Sequence, residues 1–116
     1  MSKMKIADLS ERISVRYFDV EHDEFGNILR REEIERCRVW ANVYALTAKK
    51  FEAQPERENK ITYRVTIRYR EDIKPDDEIV WRGQRRLKLL SPPFNLNGQK
   101  TFTAMDCEEV VADGVT

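Results

Sequence analysis

The sequence predicts a mainly β domain, a small antiparallel β-barrel of about six strands with one short helical insertion. Three observations favour this class. Apolar and polar residues alternate with a period of two in several runs, which is typical of half-buried strands. Turn-forming residues separate most of these runs, and short turns join antiparallel rather than parallel strands. Good helix formers are concentrated in a single stretch, 48–54.

The first half of the chain supplies two strands on either side of a turn-rich segment. Alternation predicts the first strand over 12–18. We expect a loop over 19–35 that reverses near Gly26, and its flanks could extend as a hairpin arm. The second strand is predicted over 37–46. Both of its faces are partly apolar, so we expect each face to be partly covered.

The helical insertion and the clearest strand lie in the middle of the chain. Thr47 is suited to cap a helix and Pro55 to end it, so one or two helical turns precede a charged stretch that ends at Lys60. The strand at 61–70 alternates regularly and is expected to place its apolar residues in the core. Its opposite face carries three arginines, Arg64, Arg68 and Arg70.

The last third of the chain predicts a hairpin, a loop and a final strand. The hairpin strands are expected at 78–82 and 85–91, joined by a tight turn. The double proline at 92–93 precludes a strand ladder and begins a loop. The last strand is predicted over 100–110, and residues 112–116 are expected to form a loose tail.

Charge is balanced overall but unevenly distributed along the chain. Lysines and arginines number 21, as do aspartates and glutamates, which argues against a dedicated nucleic-acid binder. Residues 19–36 and the C-terminal end are acidic, whereas residues 57–88 are basic. One acidic and one basic side suit head-to-tail contacts between copies. An ordinary solvated surface is the alternative explanation.

No arrangement of residues predicts an enzyme, a metal site or a cofactor. The single histidine, His22, lies in an acidic turn-rich segment without a nucleophile beside it. The acidic clusters lack the spacing of a calcium loop, and the isolated glycines do not form a phosphate loop. Trp40 and Trp81 lie on predicted strands and are expected to be core or interface anchors.

The cysteines and the hydropathy pattern indicate the cellular compartment in which the protein is made. Cys37 and Cys107 fall within predicted strands and lack metal-ligand spacing, so buried free thiols in a reducing compartment are expected. No signal-peptide pattern is visible, and no apolar run approaches the ~20 residues that span a bilayer. We therefore expect synthesis in the cytoplasm and no contact with membranes.

Four stretches of the chain form a recognisable series. They are ERISV at 11–15 with EFGN at 24–27, RVWANV at 38–43, TYRVTIRYR at 62–70 with the following IKPDDEI and Gly83, and CEE at 107–109. In this order they resemble the phage head-tail joining family, the small head-closure or connector proteins of tailed bacteriophages and prophages. The resemblance extends from Leu9 to Val110. It departs from the family pattern after Gly83, where QRRL lacks the usual aromatic residue, and in the PPF loop at 92–94.

The resemblance implies a virion protein that is not an enzyme. It implies a dodecameric ring under the portal and adaptor proteins that closes the filled head and receives the tail-completion protein. Lysines and arginines at 47–60 are suited to meet packaged DNA without reading its sequence. The candidate channel residues are Lys49, Lys50, Arg57 and Lys60. The candidate residues for contacts with partners or neighbouring copies are Phe25, Arg64, Arg68, Arg70, Glu108 and Glu109.

A second function class remains open from the sequence. The alternative is a small β-barrel module of the host cytoplasm that binds nucleic acid or protein. Such a module predicts salt-dependent nucleic-acid binding by the isolated domain. The interleaved surface aromatics of a single-strand binder are missing from the arginine-bearing strand.

Overall fold

The computed structural model describes residues 4–46 and 61–110. Almost all of the regular structure in these ranges is strand. The strands are β1 (Glu11–His22), β2 (Ile28–Ala45), β3 (Thr62–Arg68), β4 (Glu78–Trp81), β5 (Arg85–Leu89), β6 (Phe94–Asn95) and β7 (Phe102–Glu109). Single 3-10 turns occur at Ile6–Asp8 and Leu96–Gly98. The predicted helix at 48–54 and the predicted tail at 112–116 lie outside the described residues.

The seven described strands belong to one antiparallel sheet that closes in a ring. Their order is β3-β2-β1-β4-β5-β7-β6, and β3 also pairs with β7. The ring of strands closes because β7 pairs with neighbouring strands along both of its edges. One edge pairs with the whole of β3, and the other pairs with β5 and then β6. The mainly β antiparallel fold predicted from the sequence is confirmed, with β6 as an additional strand of two residues just after the double proline.

The core fills the inside of this ring with aliphatic and aromatic side chains. The alternation predicted for β3 is confirmed for Tyr63, Val65 and Ile67, which are buried. Tyr63 packs edge-to-face on Trp81, with ring centroids 5.3 Å apart. The other buried members of the cluster are Ile13, Val15, Ala41, Ile73, Ile79, Leu87, Leu89, Met105 and Cys107. Trp81 is therefore a core anchor, as the sequence predicted.

The sequence predicts a loop over 19–35 whose flanks could extend as a hairpin arm. The structure has the hairpin arm, which is formed by the ends of β1 and β2. β1 and β2 pair through it, and the chain reverses between Asp23 and Asn27. The strands are held together this far by backbone pairing in one register from Arg16 to Glu21 and by cross-strand side-chain contacts such as Tyr17 with Ile34. Turn-forming residues are confined to the reversal, where Gly26 has a φ of 86°.

The distal part of this hairpin, residues 17–34, projects as a two-stranded arm. β4 pairs with β1 only from Ile13 to Arg16, so beyond Arg16 the only strand beside β1 among the described residues is β2. Six further residues of β1 extend the arm by roughly 20 Å at the usual rise of a strand. The described residues accordingly span 54 × 36 × 25 Å.

The two faces of β2 differ more than the sequence suggested. Cys37, Val39 and Val43 pack against the core. On the opposite face Trp40 is 53% exposed and Tyr44 is 45% exposed. The outer face is thus partly covered, as expected, and half-buried Asn42 lies on it. The inward face alone meets the core because the ring of strands has one interior.

Candidate functional site

The arm ends in an exposed apolar and acidic tip, here called the arm tip, residues 21–29. Phe25 is 81% exposed, and Ile28 and Leu29 are each 62% exposed. The same residues include three carboxylates, Glu21, Asp23 and Glu24, and no lysine or arginine. Phe25, a predicted contact residue, thus lies at the most projecting end of the arm.

Hydrogen bonds to one carboxylate shape the arm tip. The backbone N–H groups of Phe25 and Asn27 donate to Oδ1 of Asp23, each at 2.9 Å. The N–H of Gly26 donates to the Asp23 carbonyl at 3.1 Å. The bond from Asn27 is the main reason why the pKa of Asp23 is lowered. Sequence reasoning located this reversal correctly because aspartate, glycine and asparagine are turn formers.

A groove with a volume of about 570 Å³ opens near the start of β1. It is here called the arginine groove. Its apolar lining comes from Ile6, Leu9, Val39, Trp40 and Tyr69, and its basic lining from Arg12, Arg38, Arg68 and Arg70. Among the described lining residues there is no carboxylate. Sequence reasoning did not find this groove, because its members come from three strands and the N-terminal segment.

Trp40 is the exposed aromatic residue of the arginine groove. It lies opposite Arg12 in the β1–β2 register, and the Arg12 guanidinium is 5.0 Å from the centroid of its ring. Arg38 forms an ion pair with Glu35 at 3.1 Å, and the two side chains are 57% and 38% exposed. Within the described part of the chain, Arg12 and Arg68 form no ion pair.

The arginines of β3 are only partly available as a basic surface. Arg64 makes two hydrogen bonds to Asp106 across the β3–β7 pair, at 2.8 and 3.0 Å. Arg70 makes two hydrogen bonds to Asp72, both at 2.8 Å, and they lower the pKa of that carboxyl. Only Arg68, among these three predicted contact residues, is exposed without such a partner in the described ranges.

The predicted contact residues of β7 lie beside the core and have neighbours within the chain. Glu109 accepts two hydrogen bonds from Arg85, at 2.7 and 3.0 Å, and its pKa is lowered by them. The same guanidinium donates to the Tyr63 hydroxyl at 2.8 Å and lies 4.4 Å from the Trp81 ring. Glu108 is half-buried and lies opposite Lys88 in the β5–β7 register.

The predicted channel residues Lys49, Lys50, Arg57 and Lys60 lie outside the described residues. Over the ranges 4–46 and 61–110, no group of three histidine, cysteine or acidic residues is placed to hold a metal ion. None of the helices in these ranges has the length and apolarity needed to cross a membrane. The two cysteines are free thiols, and burial raises the pKa of Cys107 to about 12.

Solved structures of similar fold exist for nearly the whole chain. The solution structure of a protein from Shigella flexneri 2a superposes with a TM-score of 0.72 at 24% identity, covering 95% of this chain and all of that chain. A chain in the virion of a native gene transfer agent particle superposes with a TM-score of 0.65 at 17% identity, covering 87% and 94%. At these identities the likeness shows the fold alone. No curated protein matches the chain.

The family is shown by the sequence match rather than by these superpositions. A family model described as phage head completion protein matches residues 4–110, which include the closed ring of strands, the arm and the arginine groove. The resemblance seen in the four sequence stretches is thereby confirmed. The chain therefore belongs to the family of phage head completion proteins and is a structural protein of a phage virion.

Proposed function

We propose that this protein forms a ring of identical copies at the neck of a tailed phage or prophage particle. The ring closes the DNA-filled head and provides the surface to which the tail attaches. The family match over residues 4–110 carries this proposal. A chain of the same fold in a gene transfer agent virion supports it.

The distribution of exposed groups also supports assembly with other chains. Phe25, Ile28, Leu29 and Trp40 are large apolar side chains left exposed at two separate places. Exposed apolar residues that cluster within polar surroundings are typical of protein–protein contact surfaces. In the ring these places contact neighbouring copies, the portal and adaptor proteins on the head side, or the tail-completion protein.

The positive residues at 47–60 have a separate role in this proposal. Lys49, Lys50, Arg57 and Lys60 face the channel and contact the phosphates of packaged DNA without reading its sequence. Their contribution is electrostatic and therefore weakens with salt.

Electron microscopy of particles from the encoding phage or prophage, with this gene deleted, tests the function. A head-closure role predicts packaged or leaking heads beside free tails, and normal tailed particles on complementation with the intact gene. Normal tailed particles without complementation would contradict it. In that case nucleic-acid binding by the isolated chain, measured at two salt concentrations, would test the cytoplasmic-module alternative.

A further inference from the structure

We infer that the arm tip of one copy docks in the arginine groove of the next copy, with Phe25 placed beside Trp40. The inference rests on the proposed ring and names the contact that builds it. The occupant is a second copy of this chain, and four features of the described residues support it.

The charges of the two surfaces are complementary. The arm tip contributes Glu21, Asp23 and Glu24 and no cation from lysine or arginine. The arginine groove is lined by four arginines and by no described carboxylate. Arg38 and Arg70 are already paired with Glu35 and Asp72, so Arg12 and Arg68 are the cations most available to an incoming carboxylate. Opposite charges on facing surfaces orient the contact and reject other partners.

Both surfaces also expose apolar side chains that can pack against each other. Phe25 projects from the arm tip, and exposed Ile28 and Leu29 follow it at the start of β2 on opposite faces of the strand, so one of them accompanies Phe25 into the contact. The arginine groove offers Ile6, Leu9, Val39 and Trp40, and its volume is in the range of clefts that bind small ligands, which leaves room for a phenyl ring. A buried aromatic anchor surrounded by charged residues is the usual arrangement of an interface hot spot.

Hydrogen bonds order the turn of the arm tip before it docks. Asp23 accepts hydrogen bonds from Phe25 and Asn27, which hold the turn that presents the Phe25 ring. A preformed turn loses little conformational entropy on binding. The arm itself is only two strands wide, and such ribbons are marginally stable alone in water. Docking therefore stabilises the arm as well as the contact.

The positions of the two surfaces favour a ring rather than contact within one chain. The groove residue Arg12 and the tip residue His22 lie near opposite ends of β1. Ten residues of extended strand separate them by roughly 33 Å. The arm tip therefore cannot reach the groove of its own chain. A contact between two different surfaces is heterologous. It gives a closed ring when the same rotation, repeated from copy to copy, returns to the first copy.

Cross-linking measures the contact directly. Phe25→Cys and Trp40→Cys are combined in one chain, and a short bis-maleimide is applied to complemented particles and to the concentrated purified chain. We expect a ladder of covalent multimers. The matched control replaces Trp40→Cys with Leu90→Cys, because Leu90 is 50% exposed and lies outside both surfaces. Each single variant, treated in the same way, shows how much cross-linked product comes from the native Cys37 and Cys107.

Charge exchange tests the same contact without cysteines. Glu24→Arg and Arg68→Glu should each lower the yield of infectious particles by on the order of tenfold, because each places like charges opposite one another across the contact. The combination should restore most of that loss. Lys74→Glu, an exposed charge reversal outside both surfaces, should have little effect. Circular dichroism and thermal unfolding confirm that each variant is folded.

The outcomes separate this inference from the proposed function. Normal particles that yield no multimers specific to the Phe25 and Trp40 pair would overturn the contact and leave the neck role intact. Multimers from the purified chain, with normal particles after gene deletion, would support the contact and reject the neck role. If groove variants reduce DNA binding while arm-tip variants have no effect on assembly, the groove binds phosphate instead and the inference is overturned.

Discussion

Arg36 of β2 and Asp77 of the turn before β4 form a bidentate ion pair, at 2.6 and 2.9 Å, in which the Asp77 side chain is fully buried. Asp77 also accepts a hydrogen bond from the Lys74 backbone N–H at 3.0 Å. The pair therefore joins the base of the arm to the turn that leads into β4. Asp77 is therefore buried although it lies in an acidic turn, beside exposed Asp76.

Arg36→Met should destabilise the fold strongly. The substitution leaves the Asp77 carboxylate buried without its cation, which costs roughly 3 kcal/mol in such pairs. Urea unfolding followed by circular dichroism measures the change in free energy. The matched control is Arg30→Met, whose pair with Glu32 is largely exposed and should contribute less than about 1 kcal/mol. Equal losses in the two variants would contradict a special role for the Arg36–Asp77 pair.

The free energy of unfolding should decrease on acidification. The Arg85 hydrogen bonds lower the pKa of Glu109, and those of Arg86 lower the pKa of Glu33. A folded-state pKa below the unfolded one gives stability that is present above the unfolded pKa and lost as pH falls through the folded one. The loss should occur below about pH 5, since unfolded glutamate titrates near 4.3.

Glu109→Gln should flatten this pH dependence. The variant should be less stable than the original chain at pH 7, and the difference should shrink as the pH falls toward 3. Urea unfolding at a series of pH values measures both effects. A constant difference across the series would show that Glu109 contributes through packing rather than through its charge.

Cys107 should be unreactive in the folded chain. Burial raises the pKa of its thiol to about 12, so the thiolate that attacks alkylating reagents is scarce at pH 8. Iodoacetamide labelling followed by mass spectrometry should modify Cys107 only in denaturant. Cys37 is half-buried, and labelling it in the same sample provides the internal comparison. Rapid labelling of Cys107 without denaturant would contradict its burial.

Asp23→Ala should loosen the arm tip while leaving the closed sheet intact. The backbone N–H groups of Phe25 and Asn27 lose their acceptor, so their hydrogen exchange should accelerate. The free energy of global unfolding should change little, because exposed hydrogen bonds contribute little to stability. Hydrogen exchange measured by mass spectrometry reports on the arm tip and on the closed sheet in the same experiment. Accelerated exchange in β3 and β7 would show that the arm and the ring of strands unfold together.

Reversing the charge of Lys49 and Lys50 to glutamate should weaken DNA retention in the proposed ring. Negative side chains facing the channel would repel the phosphate backbone. The measurement is the fraction of filled heads after a salt wash, compared with complementation by the unaltered gene. Lys74→Glu, an exposed charge reversal outside the segment 47–60, is the control. Unchanged retention in the Lys49 and Lys50 variant would count against a channel role.

Local patterns account for the elements that the sequence predicted well. The alternation at 61–70 identifies β3 and its buried side chains, because side chains of a strand point alternately to opposite faces. The reversal near Gly26 follows from turn chemistry within a few residues. The sequence left the hairpin arm open as an alternative to a loop, because the segment 19–35 is charged and lacks the alternating apolar face on which strand prediction depends.

The candidate site was only partly predictable for a related reason. Phe25 was identified as a contact residue, and the structure places it at the exposed end of the arm. The arginine stripe was predicted as one surface, yet Arg64 and Arg70 are paired with Asp106 and Asp72. Such pairing depends on which strand lies beside which, and residue spacing along one strand does not contain that information.

The sequence by itself determined that this protein is a mainly β chain, where most of its turns fall, and which family it belongs to. These properties depend on side-chain periodicity, on backbone preferences of single residues, and on motifs in series. Only the tertiary structure decided that β3 closes on β7, that Arg36 reaches Asp77 across 41 residues, and that three strands build the arginine groove. Those features arise from the register and closure of the sheet, which bring together residues that are distant along the chain.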